Sequence, residues 1–296
     1  LAAGYRPCKR CRPQEIDGQR AWARERRGEL ERIPAVRITE AELRGGGLDP
    51  ATVRRHFQRT YGVTFQAFAR ARRMAGALEK IRAGGKLDNL VYAYQYSSHS
   101  GFHNAYSRNF GTSPAKSRDR DYIFTTFLRS PLGPLVAGAT EAGLCLLEFT
   151  DRRGVETQLA TLERRLAAPL VLGEHAHLRS IRDELTAYFA GELQQFHTPL
   201  HFPGSPFQQQ VWRELLEIPF GETRSYEALA RKVGKPAAAR AVGRANGQNR
   251  LAIVIPCHRV VNKDGQLGGY GGGLRRKQYL LNLERAAAAS TPSAAD

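Results

Sequence analysis

The segment Ile255-Pro256-Cys257-His258-Arg259 sets a thiol beside an imidazole and a guanidinium. The thiolate is the reactive form of cysteine, and positive charge nearby lowers the pKa that governs it. The five apolar residues from Leu251 to Ile255 read as a buried strand. Pro256 ends it, because proline cannot donate to a ladder. Adjacent side chains on an extended segment point apart. On the pattern alone, two readings therefore stand for Cys257: an inert core thiol and a nucleophile. Cys8 and Cys11 form a C-x2-C, half of a tetrahedral zinc site. The next cysteine is Cys145, and the first histidine, His56, falls inside an expected helix, so these residues alone predict no complete zinc site. Cys145, in GLCLLEF, reads as core.

The elements that must position Cys257 follow from the flanking sequence. Residues 221–246 read as helix, Gly turn, helix. Ser225 is the expected N-cap, Glu227 lies in the first turn, Gly234 breaks the chain and Pro236 opens the next helix. Ala238, Ala241, Val242 and Ala245 form the expected buried face, with Arg240 and Arg244 on the other. QLGGYGGGLRRK reads as a Gly-rich hairpin before a last helix. A helix-turn-helix followed by a strand and a Gly-rich loop suggests a winged-helix-like DNA binder, and a thiol beside it suggests chemistry on DNA.

Upstream, Asp49 and Pro50 read as the N-cap and first position of a helix whose Val53 and Phe57 face inward while Arg54, Arg55 and Arg59 face out. In a second unit, Phe102, Tyr106 and Phe110 recur at i, i+4 and i+8 and make one buried stripe. Ser98, His99, Asn104 and Arg108 are then exposed, as side chains offered to a major groove are. Residues 121–205 switch to strand-like runs, YIFTTFL and CLLEF, around the turn signal Pro131-Leu132-Gly133-Pro134. A helical stretch is expected from about Gly154 to Gly191.

Lys and Arg number 45 against 28 Asp and Glu in 296 residues, a net charge of +17. Residues 1–130 carry 25 basic and 12 acidic side chains, residues 131–205 carry 6 and 9, and residues 206–290 carry 14 and 6. Two basic blocks flanking a mildly acidic one point to nucleic acid, since basic blocks release counterions on meeting phosphates; a generally basic, Arg-rich composition is the bland alternative. Four scattered cysteines predict no disulfide scaffold and a reducing cytoplasm; within it, a nucleoid-associated location is expected. No eighteen-residue apolar window exists, so no membrane partner is expected. The first residues, LAAGYRPCKRC, lack an apolar core, so no signal peptide is expected.

IPCHRVV resembles the active-site signature of the O6-alkylguanine-DNA alkyltransferases. SPLGPLVAGAT, SPFQQQVW, PFGETRSYEALA, AARAVGRAN and GGYGGGLRRKQYLL fit that family in order and spacing. Residues 38–118 resemble the AraC-type double helix-turn-helix domain, through Gly101-Phe102, Tyr106 and Phe110-Gly111-Thr112-Ser113-Pro114; the stretch YAYQYSSHS departs from that family's Ala/Gly-rich turn. GYRPCKRC resembles the end of the zinc domain of Ada-type proteins, whose upstream cysteine pair is absent here. Together these resemblances imply an Ada-type bifunctional protein with a truncated zinc domain.

The implied fold class is α+β and multidomain: an all-α double helix-turn-helix domain, a small ribonuclease H-like α/β subdomain and a winged-helix-like, mostly α domain. The expected boundaries are 1–16 for a zinc-domain remnant, 17–37 for a linker helix, 38–120 for the AraC-like domain, 121–205 for the α/β subdomain, 206–286 for the catalytic domain and 287–296 for a disordered tail.

The resemblance also implies roles. Cys257 accepts the alkyl group of O6-methylguanine, and of O4-methylthymine, in a flipped-out base. His258 is the base acting through a water and Glu284 orients it, in triad logic. Tyr226 turns the nucleotide and donates to the purine, Asn249 holds the active-site turn, Arg240 fills the gap in the base stack beside Arg244, and Tyr270 walls the alkyl pocket. Gly271 stands where relatives often carry Ser, so one hydrogen bond to the substrate oxygen is expected to weaken or to pass to a backbone N–H. Transfer is expected once per molecule and without a cofactor, with zinc only if the N-terminal domain is complete at Cys8 and Cys11. The implied partners are duplex DNA with alkylated bases, promoter DNA and RNA polymerase, for a monomer. The alternative reading is a lesion-sensing transcription regulator without efficient repair.

Overall fold

The computed structural model describes residues 38–290 except 46, 48, 62 and 63. The expected segments 1–16 and 17–37, with Cys8 and Cys11, lie outside the described residues, as do 291–296 of the expected tail.

Among the described residues, the first basic block holds the helices α1 (Glu40–Gly45), α2 (Pro50–Tyr61), α3 (Phe65–Arg82), α4 (Leu87–Ala93) and α5 (His99–Phe110). Their starts follow from side chains that satisfy free N–H groups. Asp49 accepts from Thr52 N at 3.0 Å, Thr64 from Ala67 N at 3.2 Å, and Ser98 from Gly101 N at 3.1 Å. Val53 and Phe57 pack with Leu43, Phe65 and Phe68 in a small core. The Phe102, Tyr106 and Phe110 stripe is buried, in the same large core as Met74 and Leu78 of α3. Arg54, Arg55, Ser98, His99, Asn104 and Arg108 are exposed, as their spacing predicted.

The acidic block builds a four-stranded sheet from β1 (Ile123–Leu128), β2 (Leu135–Thr140), β3 (Gly143–Phe149) and β4 (Leu170–Leu172), in the order β3-β2-β1-β4. The first three strands pair antiparallel and β4 lies parallel to β1. Helices α6 (Val155–Leu166) and α7 (Ala176–Ala190) flank β4. The expected helical stretch from Gly154 to Gly191 is thus two helices with a strand between them. The three-residue apolar run Leu170-Val171-Leu172 is too short to interrupt a helical pattern by eye, and pairing with β1 decides its conformation.

The last block contains α8 (Pro206–Leu216), β5 (Arg224–Ser225), α9 (Tyr226–Lys232), α10 (Ala239–Gly247), β6 (Val260–Val261) and α11 (Leu274–Ser290). Ser205 and Gln208 form a reciprocal capping box ahead of α8, with Pro206 opening the helix. Trp212 Nε1 donates to Ala245 O at 2.9 Å, fastening α8 to α10. Ser225 caps α9 as expected. Several expectations are corrected. α10 opens at Ala239, and Pro236 sits in the preceding turn. Ala241 is exposed beside Arg240 and Arg244, while Asn246 joins Val242 and Ala245 on the buried face. The Gly-rich segment 266–273 forms no hairpin; β6 pairs instead with β5 in parallel. α11 runs through residues 287–290, because the alanines of the expected tail continue a helix already nucleated.

The run Leu251–Ile255 is the main departure. It is a tight turn, with only Leu251 bridged to Leu147 of β3. All five residues are buried, so its apolar and β-branched character is genuine. Tertiary contacts, not strand propensity, set its shape.

Candidate active site

The turn at residues 249–257 is built by Asn249. Its Nδ2 donates to Ile255 O at 2.9 Å and Leu251 O at 3.3 Å, and its Oδ1 accepts from Leu251 N at 2.9 Å. Ile253 is held at φ +73, a conformation that is costly for a β-branched residue. The turn delivers Cys257 to the start of a short 3-10 segment, Cys257–Arg259. Asn249 Nδ2 also lies 3.2 Å from the Cys257 sulfur, where it stabilises negative charge on it. Burial pushes the thiol up to about 11 against that hydrogen bond. The charge that favours the thiolate comes from Arg152 and Lys277. His258 and Arg259, the neighbours of Cys257 in sequence, both turn to Glu284 instead.

His258 and Glu284 are fully buried, with Nε2 and Oε1 2.7 Å apart. Glu284 also accepts from Tyr188 Oη at 2.7 Å and from Arg259 Nε at 2.8 Å and Nη2 at 3.0 Å. Burial would raise the Glu284 carboxyl, but hydrogen bonds and charge from His258 and Arg259 bring it to about 2. Burial lowers the His258 imidazole below its ordinary 6.5 despite the Glu284 partner. A neutral imidazole that gives its Nε2 proton to an ionised Glu284 keeps a lone pair on Nδ1. That atom is buried and has no hydrogen-bond partner. It is the free basic position that a nucleophile–base–orienter arrangement requires.

A cavity of about 330 Å³ opens on Cys257. Its walls include Tyr226, Gly243, Asn246, Asn249, Tyr270 and Gly271. Tyr226 Oη lies 3.5 Å from Gly269 O at the exposed rim. The Tyr270 hydroxyl is buried and unpartnered. A side chain at Gly268 would meet the Tyr226 ring at 2.8 Å, so the loop must be bare of Cβ there to let the ring in. The structure thus brings Cys257, His258, Glu284, Asn249, Tyr226 and Tyr270 together. Arg240 and Arg244 stand exposed on α10, whose Gly243, Asn246 and Gly247 line the same cavity.

The AraC-like candidates are not at this cavity. Arg54 pairs with Glu40 at 3.0 Å, Arg55 donates to Thr52 at 3.2 Å, and His99 lies 3.7 Å from Asp88. Ser98 spends its hydroxyl on capping α5.

Glu148, Arg152 and Lys277 escaped the sequence, and so did the contact that Arg259 makes. Glu148 near the end of β3 and Arg152 in the turn after it, an ion pair, line the cavity. Buried Lys277 donates to Val260 O and to Gly268 O at 3.2 Å, joining the two chains that flank the site. Arg259 anchors Glu284. A charged residue within an apolar or helical pattern is the available signal, but it does not say which partner lies across the fold. Among the described residues, no group of three or more His, Cys, Asp or Glu could hold a metal ion, and no helix is long and apolar enough to cross a membrane.

Residues 206–286 match the family described as 6-O-methylguanine DNA methyltransferase, DNA binding domain, and residues 123–202 match its ribonuclease-like domain. Residues 46–120 match a helix-turn-helix domain. A methylated-DNA–protein-cysteine methyltransferase of Mycobacterium leprae is 46% identical over 156 residues, 53% of this chain and 88% of that protein. The bifunctional transcriptional activator/DNA repair enzyme Ada of Escherichia coli is 32% identical over 304 residues, 96% of this chain and 81% of that protein. A crystal structure of Mycobacterium tuberculosis OGT in complex with DNA is 42% identical, with a TM-score of 0.48, and covers 56% of this chain and 94% of that one.

Proposed function

The chain belongs to the Ada-type branch of the methylated-DNA–protein-cysteine methyltransferases, and on that premise we propose that Cys257 takes the alkyl group from O6-methylguanine in duplex DNA. The observation that carries the residue assignment is one arrangement: a buried Cys257 sulfur 3.2 Å from Asn249 Nδ2, in the segment whose next residue, His258, is 2.7 Å from Glu284.

At rest the thiol is protonated. His258 Nδ1 takes that proton, through a water, as the sulfur attacks the alkyl carbon in line. The S–C bond forms as the C–O bond breaks, and the electron pair stays with the purine oxygen. Tyr226 gives its hydroxyl proton to the purine ring so that the base departs neutral, and the proton taken up by His258 balances the phenolate left behind. Asn249 holds the sulfur and fixes the turn. Glu284 keeps the imidazole oriented and its Nε2 protonated. The product is a thioether, which water does not readily cleave, so each molecule acts once. No step draws on a cofactor. The cavity falls in the ordinary size range of small-molecule sites, and a base must leave the stack to enter it. Arg240 fills the space it leaves and Arg244 meets phosphate. O4-methylthymine is the second substrate.

The helix-turn-helix region, placed at residues 38–120, binds promoter DNA through the exposed faces of α2 and α5, with RNA polymerase as its further partner. Incubating the protein with a duplex carrying labelled O6-methylguanine tests the reading. About one label per chain, abolished by Cys257→Ala, is expected. Binding without transfer points to a lesion sensor, and repeated turnover to a hydrolase; either result overturns the proposal.

A further inference from the structure

Arg152 lies in the turn after β3, in the α/β block, yet its side chain reaches the Cys257 cavity. Glu148, fully buried, pairs with its Nη1. The same Nη1 donates to Asn249 O at 3.1 Å, and Nη2 donates to Gly247 O at 2.5 Å. With the Gln158 amide turned, its oxygen accepts from both Nη atoms at 3.2 Å. The Nε–H remains without an acceptor among the described residues. The guanidinium lies against Gly271, where a Cβ would stand 2.5 Å from Cζ and 2.8 Å from Nε. The cavity wall after Tyr270 is therefore formed by a side chain from another block of the chain. Glycine at 271 is what leaves room for it. Beside it, the buried Tyr270 hydroxyl also lacks a partner.

We propose that Arg152, held by Glu148, is a substrate-binding residue of this site whose Nε–H donates a hydrogen bond to the purine oxygen that bears the alkyl group. The inference rests on the alkyl-transfer reading. As the C–O bond breaks, its electron pair stays on that oxygen and delocalises into the ring. A cationic donor gains strength as this charge develops, so it favours the transition state over bound substrate. Arg152 keeps its proton throughout. Four guanidinium hydrogens are fixed by the protein, so the fifth is presented without reorganisation at the moment of reaction. The pair also keeps its charge balanced within the cavity: Glu148 alone would oppose thiolate formation, and Arg152 offsets it.

The test uses the full chain and single-turnover transfer from a duplex containing O6-methylguanine, with the rate constant at saturating duplex separated from the half-saturating concentration. The variant Glu148→Gln/Arg152→Ala removes both charges together, so no buried carboxylate is left unpaired. Its rate constant is expected to fall about 10- to 100-fold, the effect of losing one charge-assisted hydrogen bond, with little change in half-saturation. Adding Gly271→Ser to that variant puts a hydroxyl where the guanidinium stood, and most of the rate is expected to return. Gly271→Ser alone is expected to slow transfer, because its Cβ meets the guanidinium. One substitution thus harms in one background and helps in the other, which a merely structural latch does not produce. A wild-type rate in Glu148→Gln/Arg152→Ala, or harm from Gly271→Ser in both backgrounds, overturns the inference. If the unsubstituted protein takes up no label, it is the transfer reading that has failed.

Discussion

The Cys257 sulfur is buried and carries its proton at rest, so its reactivity depends on a base rather than on a standing thiolate. That places the pH dependence on His258. Its pKa lies below 6.5 in the fold, so the imidazole is a base through neutral pH and loses that role only on acidification. The single-turnover rate is expected to stay level from pH 8 to about 7 and to decline below about pH 6. A rate that instead rose steadily with pH across this range would show that the thiol ionises unaided. Stability follows the same sign. His258 and Glu284 both have folded pKa values below their ordinary ones, so each contribution is present at neutral pH and is lost on acidification. The loss begins below pH 6.5 through His258 and continues from 4.5 towards 2 through Glu284. Thermal melting measured from pH 8 to pH 3 checks it.

At the scale of elements, the site depends on a turn that looks like a strand. Asn249 bonds both ends of this turn and the sulfur beyond it. Asn249→Ala leaves the buried Leu251 N–H without its acceptor and should cost about 1–3 kcal/mol. It should also slow transfer at least about tenfold. Urea unfolding and the transfer assay measure the two effects, and a variant with wild-type values in both contradicts the role given to Asn249. The turn marks the limit of what the sequence conveys. Caps at Asp49, Ser98, Ser205 and Ser225 obey local rules, and two of them, Asp49 and Ser225, with the Phe102 stripe, are read residue by residue from the sequence. Cys257, His258 and the resemblance of IPCHRVV make the centre of the site legible too. Leu251–Ile255 is not, since five apolar residues fit a strand or a buried turn equally until Asn249 and β3 are placed around them. Glu148, Arg152 and Lys277 are hidden for a related reason: each acts on atoms distant in the chain.

On the scale of the whole molecule, the helix-turn-helix block and the sheet share one core. Met74, Leu78 and Ile81 of α3 belong to the same buried cluster as Tyr122 and Phe124. Arg82 ties the two blocks. It donates to Arg120 O at 2.5 Å, pairs with Glu141 at 3.0 Å and lies over the rings of Tyr122 and Phe124. A Cβ on Gly173 would stand 2.6 Å from that of Ala75, so α3 and the sheet meet closely there. Arg82→Ala should destabilise the chain by about 1–3 kcal/mol, mainly through lost packing and the freed carbonyl, because Glu141 is largely exposed. Denaturant unfolding followed by two probes, one in each block, should show both shifting together; a shift confined to one block contradicts a shared core. Chemistry at Cys257 remains the claim on which the rest depends. Mass spectrometry of the tryptic peptide 251–259, after exposure of the protein to a duplex carrying O6-methylguanine, tests it most directly. One methyl group on Cys257, in proportion to the guanine restored, is the predicted result. Restored guanine with that peptide unmodified, or with the methyl group on another residue, would contradict it.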